Sequence, residues 1–256
     1  MKFAIGIQYD GTHYHGWQRQ KLLAATIQYH VEKALSKVAN HSIQVICAGR
    51  TDAKVHAVEQ IAHFETHAIR QDQSWIMGTN RYLPKDIRLY WIKAVPEEFH
   101  ARFSAILRYY RYILYGNPIC LPLFRHHIAW YYYDLNCIAM KQAADFFLGT
   151  HDFQHFRSRY CQAKTSIRTI QSINLEKKDS HIIIDIKANA FLHNMVRNIV
   201  GALIEVGRGK QKKNWIKTLL DYPRTILDKG IPTAPPQGLY FIKAFYADKF
   251  QLPNIQ

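Results

Sequence analysis

Hydrophobic and polar residues alternate from Lys2 to Tyr9, with Phe3, Ile5 and Ile7 on one side, which predicts a β-strand. Asp10-Gly11 predicts the turn that ends it. The period changes after Thr26: Ile27, Val31, Ala34, Leu35 and Val38 recur at helical spacing, so a helix capped by Thr26 follows. Apolar runs at 43–48 and 58–66 predict two strands, and the polar stretch between them carries Asp52. A short helix near 72–79 and a strand at 87–95 complete a β-α-β-β-α-β order.

The second half repeats that order. It reads as a strand near 103–115, a helix near 134–148, and strands near 168–177 and 181–188. A helix from about 190 to 206 buries Met195, Ile199, Ala202, Leu203 and Val206. A helix at 212–221 and a strand from Leu239 to Tyr246 close the chain. The pattern predicts an α+β protein of two split β-α-β halves, each with a largely antiparallel sheet. Pro96-Glu97-Glu98 is the only linker signal, giving halves of residues 1–103 and 104–256.

Charge narrows the class. Lys+Arg number 34 against 19 Asp+Glu, a net charge of +15 over 256 residues. The excess is spread along the chain, which favours a basic surface built by the fold over a disordered arm. Densely anionic partners follow, nucleic acid first and an anionic membrane surface second. Arg108-Tyr109-Tyr110-Arg111-Tyr112 joins cations to aromatic rings: Arg can neutralise phosphates and Tyr can stack on bases. The plainer reading is an amphipathic strand with Tyr inside and Arg in water. No apolar run approaches the ~18 residues of a spanning helix, and the first ten residues do not form a signal peptide. The four Cys show no CxxC spacing, consistent with free thiols in a reducing cytoplasm.

Candidate chemistry is sparse. The 14 His include no HExxH and no Cys/His cluster, so no metal site is expected. Gly207-Arg208-Gly209-Lys210 follows a helix, whereas phosphate loops precede one, so it reads as a C-cap. No nucleophilic Ser or Cys pattern is present. Asp52 stands out because a turn between strands can hold a reactive group in the open on an anchored backbone. Its plainer role is a turn or capping Asp.

Longer motifs follow the same order along the chain. They are Tyr9-Asp10-Gly11-Thr12, Gly16-Trp17-Gln18, Gly49-Arg50-Thr51-Asp52-Ala53, Val55-His56-Ala57, and His100-Ala101-Arg102-Phe103-Ser104-Ala105. Arg108-x-Tyr110-Arg111-Tyr112, Lys187 to Asn198, and Gly238-Leu239-Tyr240 complete the set. From Phe3 to about Phe245 the chain resembles the TruA family of tRNA pseudouridine synthases. The resemblance implies the pseudouridine synthase fold, with two ferredoxin-like halves forming one mostly antiparallel sheet around a central active-site cleft. It implies a cytoplasmic homodimer that uses no cofactor. Its activity is the isomerisation of uridine to pseudouridine at positions 38, 39 and 40 of the tRNA anticodon arm.

Asp52 then matches the catalytic nucleophile, and Tyr110 the active-site tyrosine that stacks on the flipped base. Arg197 matches the cation that pairs with Asp52, Arg50 a residue that displaces the target nucleotide or binds its phosphate, and Leu239 an apolar wall of the uracil pocket. Lys54 departs from the family, which usually has glycine there. A glycine suggests a left-handed or crowded backbone position. The rival reading is a catalytically inactive tRNA-binding protein or chaperone of the same fold. A glycosidase-like hydrolase lacks a second well-placed carboxylate, Asp10 and Glu59 being poor candidates.

Overall fold

The computed structural model describes residues 1–20, 25–222 and 230–253. In chain order the elements are β1 (Lys2–Tyr9), α1 (Ile27–Ala39), β2 (Ile46–Cys47), β3 (His56–Glu65), α2 (Asp72–Tyr82), β4 (Ile87–Val95) and β5 (Leu107–Gly116). They continue with β6 (Ala129–Tyr131), α3 (Cys137–Ala144), β7 (Gly149–Asp152), β8 (Ile167–Lys178), β9 (His181–Ala188), α4 (Met195–Gly207), α5 (Asn214–Asp221) and β10 (Leu239–Phe245). By internal contacts the chain forms two units, Met1–Arg108 with Tyr240–Gln256, and Tyr109–Leu239. The closing strand therefore contributes Tyr240 onward to the first unit.

In the first unit β1 lies between β3 and β4, antiparallel to both, with Ile5 opposite Ala62 and Ile92. Phe3, Phe64 and Trp75 form an aromatic cluster between the sheet and α2, with ring centroids 5.4–6.2 Å apart. The other face is covered differently: the indole of Trp91 lies over Gly6, and its N–H donates to the buried carboxylate of Glu59 at 3.0 Å. Both faces are thus sealed, which is why β1 is buried well beyond its alternating apolar positions. Tyr240 and Phe241 pair in parallel with His56 and Ala57, extending this sheet beyond β3.

The second unit has the sheet order β5-β9-β8-β7, with β6 parallel to β5. Ile182, Ile184, Ile186 and Ala188 alternate inward along β9. Helix α4 is buried on nearly every side, and Val196, Val200 and Ile204 join the predicted stripe in the core. Gly201 is required there: a Cβ would stand 1.7 Å from the Pro232 carbonyl oxygen.

Several boundaries differ from the sequence reading for visible reasons. Ile43 and Val45 are buried, yet their N–H groups bond the Ser36 hydroxyl (2.9 Å) and the Glu32 carboxylate (3.1 Å), so only Ile46–Cys47 forms a strand. β5 begins at Leu107 because 100–104 closes as a turn, Ser104 N–H to His100 carbonyl, 2.8 Å. α4 begins at Met195, after Asn194 at a left-handed φ of 64°. Thr26 does not cap α1, and its buried hydroxyl finds no partner among the described residues. The short strands β6 and β7 were not predicted. The C-cap reading of 207–210 agrees with Gly209 at φ 70° and with Lys210 N–H bonding the Glu205 carbonyl at 3.0 Å.

Candidate active site

The Asp52 loop is held by backbone bonds to its two neighbours in space. Upstream, Ala48 N–H donates to the Ile61 carbonyl at 2.7 Å and Gln60 donates to the Gly49 carbonyl at 2.7 Å. The Thr51 hydroxyl bonds the buried Tyr9 hydroxyl at 2.7 Å. Burial pushes the Tyr9 phenol well above its ordinary range, so it stays neutral and serves as an anchor. Downstream, Val55 N–H donates to the Asp52 carbonyl at 3.2 Å, closing the turn.

The segment 11–17 runs against this loop. Trp17 N–H donates to the Thr51 carbonyl at 3.0 Å and Lys54 N–H to the Tyr14 carbonyl at 3.1 Å. The approach needs Gly16, whose φ is +86° and whose Cβ would lie 2.6 Å from the Thr51 oxygen and 2.9 Å from the Asp52 carbonyl carbon. The opening motif and the Asp52 motif are therefore two sides of one structure. Asp52 is half-buried on this frame and Arg50 is exposed beside it. Lys54 has φ 64°, the left-handed conformation that a glycine at this position implies.

His56 follows the turn and is buried. Its Nδ1 accepts the Gly11 N–H at 3.1 Å and lies 3.0 Å from an Asp10 carboxylate oxygen. Its ring stacks on Tyr240, centroids 4.8 Å apart. Sequence reasoning did not single out His56. Its neighbours in the motif were the available signal.

In the second unit one segment, 234–239, reaches two of the expected residues, Arg197 and Leu239, and packs on β5, which carries the third. Tyr110 is 7% exposed and shares the inward face of β5 with Tyr112, its ring edge-on to Phe191 at 5.0 Å. The Tyr112 hydroxyl donates to the Pro235 carbonyl at 2.6 Å. Arg197 donates from Nε to the neighbouring Ala234 carbonyl at 2.8 Å and from a terminal nitrogen to Asn194 Oδ1 at 3.2 Å. The Ala234 N–H returns a bond to the Arg197 carbonyl at 3.1 Å. The same segment continues through Gly238, packed on β5, to the buried Leu239. Residues 234–239 thus link Arg197 and Leu239 to Tyr112, two positions along β5 from Tyr110, and Arg50 and Asp52 lie together on the loop of the first unit.

Arg108 corrects the plain reading of the basic and aromatic run. It is not in water but 9% exposed, donating to the Ala48 and Ala105 carbonyls. The outward pair on that strand is Tyr109 and Arg111, which both bond Asp185 at 2.8 Å.

The tRNA pseudouridine synthase family model matches residues 5–104 and 143–247. Asp52, Arg50, Arg197 and Leu239 fall within those stretches, and Tyr110 falls between them. Similar proteins include tRNA pseudouridine synthase A of Shewanella sediminis, 48% identical over all of this chain and 97% of that one. The same-named protein of Shewanella piezotolerans is 49% identical at equal coverage. That of Buchnera aphidicola is 51% identical over 98% of this chain and 94% of its own. Among solved structures, a chain of a Cbf5-Nop10-Gar1 complex shares 12% identity with a TM-score of 0.33, over 79% of this chain and 45% of that one, too slight a likeness to bear on function. The matched motifs, their order and their coverage show that the chain belongs to the tRNA pseudouridine synthase family.

Proposed function

We propose that the protein isomerises uridine to pseudouridine in tRNA, at positions 38, 39 and 40 of the anticodon arm, with Asp52 as the reacting carboxylate. The observation that carries this is the Asp52 loop. Five backbone and side-chain bonds from Tyr9, Tyr14, Trp17, Gln60 and Ile61 fix its backbone, and the carboxylate stands on the fixed part. Such a frame costs little reorganisation when the substrate reacts.

The reaction is an internal rearrangement. The ribose C1′–N1 bond breaks, the uracil turns, and a C1′–C5 bond forms. C5 loses its proton to solvent, and N1 gains one. Three routes start from a carboxylate: attack at C1′, addition to the base, or removal of the C2′ proton. All three require Asp52, so the prediction does not depend on which operates. Tyr110 is proposed to stack on the extruded base, Leu239 to bound it, Arg50 to bind or displace the target nucleotide, and Arg197 to keep the reacting carboxylate ionised. The enzyme is proposed to act in the cytoplasm as a homodimer. Among the described residues no helix is long and apolar enough to cross a membrane.

The test uses tRNA carrying tritium at uridine C5. Wild type is expected to release tritium from substrates with uridine at 38–40, and Asp52→Ala to lose at least about a thousandfold in rate, the scale of losing a nucleophile. Undiminished release by Asp52→Ala removes that residue from the chemistry. Tight binding with no release by wild type leaves the binding-only reading.

A further inference from the structure

Phe103 is 75% exposed, although it sits on a turn closed by several hydrogen bonds. Its ring stacks on His100, centroids 4.4 Å apart at 28°, and the guanidinium carbon of Arg102 lies 5.5 Å from the ring centroid. The support is fixed in turn. His100 Nδ1 accepts the N–H groups of Arg102 (3.2 Å) and Phe103 (3.1 Å), and the His100 N–H donates to the Ser104 hydroxyl at 3.0 Å. Beneath it the His63 ring meets His100 at 4.7 Å, and His63 Nδ1 accepts the Ala101 N–H at 3.1 Å. Burial chiefly holds both imidazoles below their ordinary pKa, so the stack is neutral at pH 7 and keeps its acceptors.

The turn is also fastened to the Asp52 loop. Arg108 donates to the Ala48 carbonyl at 3.2 Å, to the Ala105 carbonyl at 3.0 Å, and to the Arg102 carbonyl. Ala48 lies two residues before Arg50 on the same loop. The charges of Arg50 and Arg102 both act on the buried Cys47 thiol, pulling against the burial that raises it to about 12. Two exposed guanidinium groups therefore bear on Cys47 of β2, the strand that leads into the loop, and Phe103 stands beside the second. Arg102 has no ion-pair partner among the described residues.

A single exposed aromatic is ordinary on a protein surface. A ring locked from below, beside an unpaired arginine, on a turn clamped to the Asp52 loop, in a chain of net charge +15, is a combination suited to nucleic acid. We propose that Phe103 and Arg102 form a nucleotide step beside the target site, the Phe103 ring stacking on an unpaired base of the bound tRNA and Arg102 pairing with the adjoining phosphate. The proposal rests on tRNA being the substrate, as argued above.

The test compares wild type, Phe103→Ala, Phe103→Tyr and Arg102→Gln, each checked for an unchanged unfolding midpoint. Binding to unmodified tRNA is measured across salt concentrations, with tritium release alongside. Phe103→Ala is expected to weaken binding about tenfold, the scale of one lost base stack, and Phe103→Tyr to restore it. Arg102→Gln is expected to lower the slope of log affinity against log salt by about one, the signature of one phosphate contact. Unaltered affinity in Phe103→Ala, with wild type active, overturns the proposal and leaves the synthase reading intact. A change in sedimentation without a change in tRNA affinity also overturns it, assigning Phe103 to a protein contact. Failure of wild type to bind any tRNA removes the synthase reading and the proposal together.

Discussion

Lys54 holds a left-handed backbone conformation that costs a side-chain-bearing residue about 1 kcal/mol. Its N–H bond to Tyr14 keeps it there, so the conformation survives the loss of glycine. Lys54→Gly is expected to fold to the same loop, retain tritium release, and raise stability by up to about 1 kcal/mol, partly offset by glycine's greater freedom in the unfolded chain. Thermal or urea unfolding checks the sign. A large loss of tRNA affinity in this variant would instead show Lys54 working as a phosphate contact. At the residue scale His63 makes a second prediction. Burial, and then the neighbouring His100 and Lys2, hold its pKa down to about 4 in the folded protein, against about 6.5 unfolded. Between those values the unfolded chain binds the proton and the folded one does not. Stability is therefore full above pH 6.5 and falls as pH drops toward 4, by up to about 1.4 kcal/mol per pH unit for this group. His63→Gln should flatten that acid limb in urea titrations at pH 7 and pH 5; an equally steep limb would place its origin elsewhere.

At the scale of elements, the Asp52 loop and the 11–17 segment behave as one piece. Gly16→Ala would thrust a Cβ into the Thr51 carbonyl from a backbone angle that alanine rarely adopts. Displacing the loop by a fraction of an ångström is expected to cut the single-turnover rate about a hundredfold. The accompanying loss of stability is about 1–3 kcal/mol. Rapid-quench kinetics at saturating tRNA separates the two: a normal rate with weakened stability would show that the segment supports the fold alone. The second unit follows similar logic. Residues 234–239 reach Tyr112, Arg197 and Leu239 only because Gly201 and Gly238 let the chain pass close to α4 and β5.

For the whole molecule the relevant quantity is charge. A surplus of fifteen positive charges on 30.0 kDa repels its own copies at low salt but suits a polyanion wider than one subunit. The proposed homodimer is expected to sediment as a species of about twice the monomer mass in moderate salt, with or without tRNA. A strictly monomeric active enzyme would refute it.

Much of this was legible in the sequence because it is local. The strands read at 2–9, 87–95, 168–177 and 181–188 became β1, β4, β8 and β9 nearly to the residue, and the spacing of α1 was read correctly. The motif order alone carried the family. Three features were not legible because their causes lie far along the chain. Ile43 and Val45 read as a strand, but side chains of α1 took their N–H groups. Thr26 read as a cap, but its hydroxyl is buried and makes no bond to the helix end. Arg108 read as a surface cation, but the Ala48 carbonyl, sixty residues upstream, gave it an interior role. Elements, motifs and net charge follow from neighbours within a few positions, so the sequence by itself determined them. The frame around Asp52, the 234–239 segment and the Phe103 stack depend on which distant groups satisfy each buried N–H and carbonyl, and only the tertiary structure decides that.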